Sequence, residues 1–103
     1  MISSIPTMTT IANTLTIEVN RLKQLSFELL QEIGSREEKS IRCSDGLATF
    51  CTWRDAISPD EIRIVVQAYQ PGVLGIGRMR AEGFRKSSKG VFELAPHELA
   101  EFS

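Results

Sequence analysis

IRIVVQAYQPGVLGIGRMRAEGF, residues Ile62 to Phe84, reads as two strands joined by a tight turn at Pro71-Gly72. Ile62, Ile64, Val66 and Ala68 alternate with Arg63, Val65, Gln67 and Tyr69, the period of a half-buried strand. Proline fixes φ at the second turn position and glycine accepts positive φ at the third, which suits a type II turn. Pairing Gln70 with Val73 then sets Val66 against Gly77, Ile64 against Met79 and Ile62 against Ala81. One face of this hairpin is apolar or glycine. The other carries Glu61, Arg63, Arg78, Arg80 and Glu82, with opposite charges on the diagonals. A slip of one residue sets Ile64 against Arg80 and spoils the apolar face.

A competing reading exists for the first half. Ser58-Pro59-Asp60-Glu61 has the form of a helix start, and Ile62, Val65, Val66 and Tyr69 fall on one helical stripe. The β-branched run Ile62, Ile64, Val65, Val66 favours the strand.

Outward from this hairpin, the chain of 103 residues is long enough for one domain with one modest core, spanning 1–103 with a loose tail at 1–9. Apolar residues make up 42% and charged residues 24%, so neither disorder nor a disulfide scaffold is indicated. A formal net charge of −1 gives no global attraction to nucleic acid or anionic lipid. No apolar run approaches the ~20 residues that span a bilayer, and no secretory pattern opens the chain. A cytoplasmic location is therefore expected, with no membrane partner.

Thr9 or Thr10 can cap a helix that continues to about Ile33, where Gly34 offers a stop. Met8, Ala12, Leu15, Val19, Leu22, Ser26, Leu29 and Ile33 form its apolar stripe. Such a helix, about 24 residues and ~36 Å long, exceeds what a strand of ordinary length needs. Ile17 and Phe27 project from the opposite flank, with Leu30 at the edge between. These three residues are the candidate self-association face of a homodimer.

Asp45-Gly46 between Ile41-Arg42-Cys43-Ser44 and Leu47-Ala48-Thr49-Phe50-Cys51-Thr52-Trp53 is the strongest local hairpin signal. A two-residue turn there pairs Ser44 with Leu47 and Ile41 with Phe50. Ile41, Cys43, Ala48 and Phe50 then share the core face, and Leu47, Thr49, Cys51 and Trp53 the other. Cys43 and Cys51 point to opposite faces, so the alternation predicts two free thiols. Residues 55–60 read as a loop, Val91-Phe92-Glu93-Leu94 as a short fifth strand, and Pro96 as the start of a terminal helix burying Leu99 and Phe102.

The chemistry is bounded mainly by exclusion. Gly72, Gly75 and Gly77 lack the spacing, following helix and acidic residue of a dinucleotide fingerprint. They are expected to permit close approach or a bend. Two cysteines and the single histidine, His97, make no zinc pattern, and no nucleophile elbow or phosphate loop is present. No spacing singles out a carboxylate pair. No catalytic residue, cofactor or metal is assigned.

One charge cluster remains. Arg78, Arg80, Arg85, Lys86 and Lys89 crowd twelve positions in which Glu82 is the only acid. With Trp53 and Tyr69 on the same sheet face they form the candidate partner-binding set. An acidic protein surface fits this patch, and the sequence pI of 5.8 argues against nucleic acid as the main ligand. The expected fold is α+β: a long N-terminal helix packed on a four- to five-stranded antiparallel meander sheet, with a short C-terminal helix. The expected function is a non-catalytic binding and regulatory module acting through protein–protein contacts and self-associating. The alternative is a nucleic-acid-binding regulator using the basic hairpin 78–89, and a small-ligand pocket near Gly75 and Gly77 is a third reading.

Overall fold

The computed structural model describes residues 9–72 and 77–100. Their order is α1 (Ile11–Lys23), α2 (Phe27–Gln31), β1 (Arg36–Cys43), β2 (Gly46–Ser58), β3 (Glu61–Gln70), β4 (Arg78–Ser87), β5 (Gly90–Glu93) and α3 (Pro96–Ala100). The strands form an antiparallel meander in the order β1-β2-β3-β4-β5. The architecture is the expected α+β, and the helical reading of residues 59–70 gives way to a strand.

Helix α1 lies over β3 and β4, with a smaller contact to β2. Ile11, Leu15, Val19 and Leu22 are buried against Phe50, Ile62, Ile64, Val66, Ala68 and Phe84. Two oxygens close the helix start: Thr10 Oγ1 accepts from Asn13 N–H, and Asp45 Oδ1 accepts from Ile11 N–H at 2.9 Å. The β1–β2 turn therefore helps seat the helix on the sheet.

The single long helix expected to reach Ile33 is divided in two. Gln24 and Leu25 N–H donate three residues back, to Arg21 and Leu22 carbonyls, tightening the last turn. Ser26 is extended and its hydroxyl accepts from Leu29 N–H at 3.2 Å, capping α2. Lys86 Nζ reaches up from β4 and donates to the carbonyls of Lys23, at 3.0 Å, and Leu25. The break resets the helical phase. Leu30 becomes fully buried and Leu29 half exposed, the reverse of the continuous stripe.

Three connections also differ from expectation. Cys43 pairs with Gly46, so Ser44 and Asp45 are the turn and Gly46 takes the positive φ of 127°. This moves the pairing by two residues and leaves the faces unchanged: Ile41, Cys43, Ala48 and Phe50 face the helix as predicted. The 55–60 loop is absent, because β2 continues to Ser58 and turns through Pro59-Asp60 into β3. Ile57 is the extra residue of a bulge between Ala56 and Ser58.

The third difference decides the sheet. Gln70 pairs with Arg78, not Val73, so positions 71–77 form the connection and the two-residue turn at Pro71-Gly72 is replaced. Residues 73–76, which include Gly75, lie outside the described residues. The offset from the expected pairing is an odd number of positions, so every β4 side chain changes face. Phe84 now opposes Ile64 on the helix side, where both are fully buried. Gly83 opposes Val65, and a Cβ there would lie 2.3 Å from Ile64 O. Only glycine lets the two strands approach this closely.

Candidate binding face on the open side of the sheet

Strand alternation sorts the sheet into two surfaces. One packs against α1 and α2. The other displays Arg36, Glu38, Ser40 and Arg42 from β1, Leu47, Thr49, Cys51, Trp53 and Asp55 from β2, Arg63, Val65, Gln67 and Tyr69 from β3, and Met79, Ala81, Gly83 and Arg85 from β4. Helix α3 covers one end of this second face and leaves the rest open.

The covered end is held by charge. Glu98 accepts from Arg85 at 2.5 Å and lies 3.8 Å from Arg63, which in turn pairs with Asp55 at 2.7 Å. The second Glu98 oxygen accepts from Ala95 N–H at 2.9 Å, closing the first turn of α3 on itself. The Arg85 guanidinium, helped by this backbone donor, holds the Glu98 carboxyl below the usual carboxylate range. Leu94 packs beside Gly83, and Val65 is fully buried although it points away from α1.

At the open end the surface is amphipathic. Leu47, Tyr69 and Met79 are 49%, 39% and 44% exposed, and Cys51 lies buried between neighbouring strands. Trp53 is fixed from two sides. Its indole N–H donates to Gln67 Oε1, and Arg36 sits over its ring at 5.2 Å from the centroid. Gln67 Nε2 in turn contacts Met79 Sδ at 3.4 Å. Arg36, Cys51, Gln67, Tyr69 and Met79 line a shallow pocket of about 340 Å³. Burial pushes the Cys51 thiol up, against a smaller opposing effect of Arg36, so the thiol form dominates at neutral pH. Cys43 lies across the sheet, and both cysteines are free, as the alternation requires.

A second cleft of about 380 Å³ opens beside α1, floored by Leu22, Leu25, Ile33 and Phe50. Its rim carboxylate is already engaged. Burial alone would raise the Glu18 carboxyl, but hydrogen bonds from Arg21 and Lys39 bring it below its ordinary value. Among the described residues no group of three His, Cys, Asp or Glu side chains is placed to hold a metal ion, and no helix is long and apolar enough to cross a membrane.

The structure brings Trp53 and Tyr69 together on the open face, but it disperses the basic residues expected to join them. Arg78 and Arg80 are exposed on the helix side of β4. Arg85 is on the open face and bound to Glu98. Lys86 is on the helix side, closing α1, and Lys89 stands in the β4–β5 turn. The altered β4 pairing turns Arg78, Arg80 and Lys86 together to the helix side, and Arg85, an odd number of positions from each of them, falls on the other face. The three self-association residues also separate. Ile17 is 59% exposed, Phe27 packs against the core from α2, and Leu30 is fully buried. The flank on which they were expected requires an unbroken helix. Gly77 does permit a close approach, since a Cβ there would lie 2.6 Å from the Tyr69 ring. Gln67 falls on the open face that β3 alternation gives it, whereas Met79, expected opposite Ile64 on the apolar face, reaches the open face only through the altered register with Tyr69. Compared with protein-family models, with curated proteins and with solved structures, the chain finds no match in any of the three.

Proposed function

We propose that the chain is a non-catalytic binding module that engages another protein through the open face of its sheet. The observation that carries this reading is the pairing of exposed Leu47, Tyr69 and Met79 with a braced tryptophan on one side of the molecule. Aromatic and methionine side chains around a half-buried floor suit protein contact, and a rim of Arg36, Glu38 and Arg42 supplies specificity. The side chains that create the face are held by the sheet, so a partner would find it largely formed.

The test is co-purification from native lysate with wild type and a Tyr69→Ser/Met79→Ser variant, followed by titration with the purified partner. Loss of binding with an unchanged melting profile supports the reading. Equal binding by the variant overturns it. Ile17→Ser, on the far side, serves as the control. The nucleic-acid alternative is favoured by a different outcome: salt-dependent retention on immobilised DNA that disappears in Arg78→Ser/Arg80→Ser.

A further inference from the structure

We infer that β1 is an interface for a second copy of this chain, extending the sheet antiparallel across a two-fold axis. Strand β1 is an edge of the sheet among the described residues, and residues 36–40 are all exposed. The direction of its backbone groups follows from one bond. Arg54 N–H donates to Ser35 O at 3.0 Å. Since groups alternate along a strand, Glu37, Lys39, Ile41 and Cys43 direct theirs to β2, while Arg36, Glu38, Ser40 and Arg42 direct N–H and C=O outward. Ser44 N–H, next in that outward series, donates to Thr9 O at 2.9 Å.

Charged edges usually resist pairing. This edge carries both signs, and its order makes it complementary to itself in one alignment. Directly opposed residues of an antiparallel pair share a face, so a two-fold axis must pass through a residue. An axis through Arg36, Glu37, Glu38, Lys39 or Arg42 sets that charge against its own copy, which is unfavourable. Ser40, Ile41 and Cys43 remain. Only the axis through Ser40 opposes charges productively: Glu38 meets the partner's Arg42, and Arg42 meets the partner's Glu38. Lys39 then faces the partner's Ile41, and no like charges stand opposed. All outward-directed groups from Glu38 to Arg42 gain partners in this alignment. An axis through Ile41 or Cys43 gives no opposite-charge pair.

The two-fold stands perpendicular to the sheet, so both open faces lie on the same side and join into one continuous surface. A strand of this length offers less than the ~1,200 Å² of a standard interface, so the dimer is expected to be concentration-dependent. The assignment also relocates self-association from the flank of α1, where two of the three expected residues are withdrawn into the core.

Sedimentation equilibrium over a concentration series tests it, using the full chain. Wild type should shift from monomer to dimer as concentration rises. Glu38→Arg and Arg42→Glu should each weaken dimerisation at least roughly tenfold, because each converts two attractive pairs into repulsive ones. An equimolar mixture of these two variants should recover dimer, since every opposed pair becomes opposite in sign again. Ser40→Pro should abolish dimer while keeping the fold, because Ser40 N–H points away from β2. Monomer at every concentration overturns the inference. So does a dimer indifferent to both reversals, or a mixture that associates no better than its components. Tyr69→Ser/Met79→Ser should leave the dimer intact, which separates this interface from the open face.

Discussion

Exchanging the burial of two adjacent leucines is the sharpest consequence of the break at Ser26. A continuous helix puts Leu29 on the core stripe and Leu30 at its edge. The divided helix buries Leu30 fully and leaves Leu29 half exposed. Leucine to alanine removes three carbons, about 2.4 kcal/mol at ~0.8 kcal/mol per buried methylene. The residual cavity raises this, and measured losses at buried leucines run from roughly 2 to 5 kcal/mol. Leu30 lies in the same cluster as Leu22, Phe50 and Phe84, so its site cannot fill from solvent. We expect Leu30→Ala to cost about 3 kcal/mol. For Leu29 only half the side chain is withdrawn from water, and alanine is the better helix former, so the expected cost is under about 1 kcal/mol. Urea denaturation followed by circular dichroism measures both. With slopes of ~1–3 kcal/mol per molar for a small domain, the Leu30→Ala midpoint should fall by about 1–3 M. A Leu29→Ala variant that loses as much as Leu30→Ala, or more, refutes the break and restores the single helix.

Two further expectations follow from the same contacts. Lys86→Met should cost roughly 1.5–3 kcal/mol, the range for hydrogen bonds to a charged group, because Lys23 and Leu25 carbonyls lose their shared donor; Lys89→Met, at an exposed turn, should stay within about 0.5 kcal/mol in the same urea assay. Glu98 has its carboxyl depressed in the folded state, so its contribution is present above the ordinary carboxylate pKa of about 4.3 and is lost as pH falls through the lower folded value. Wild type should therefore lose stability on acidification through that window, and Glu98→Gln should lose less, as read from urea midpoints across the acid range; identical slopes count against the Glu98–Arg85 pair.

The β-class of the central stretch, the faces of β1 and β2, the fifth strand and the terminal helix were all legible from local pattern. These features rest on period-two alternation and on turn residues acting over a few positions. The face assignment at Cys43 and Cys51 even survived a turn placed one residue off, because moving both ends of a hairpin by one keeps each side chain's parity. The partner-binding set fared differently, and for the same geometric reason. Its grouping of Arg78, Arg80, Arg85 and Lys86 on one face runs against strand parity, since Arg85 lies an odd number of positions from the other three and points the opposite way, while the faces of Trp53 and Tyr69 follow from the alternation of β2 and β3.

What only the tertiary structure decided was the length of the connection between β3 and β4, and with it the face of every β4 residue. Two pairings compete on sequence alone, since Pro71-Gly72 is a good turn and both sides of β4 contain small or apolar residues. The choice falls to packing. Phe84 fills the space under α1 beside Ile64, and Gly83 admits the close contact with Ile64 and the cover of Leu94. The helix break is decided likewise, by Lys86 arriving from sixty residues away in sequence to hold carbonyls that a continuous helix would have used itself. Periodicity reports which residues want burial. It does not report which of two burials the rest of the chain has room for, because that depends on volumes and donors supplied by distant segments.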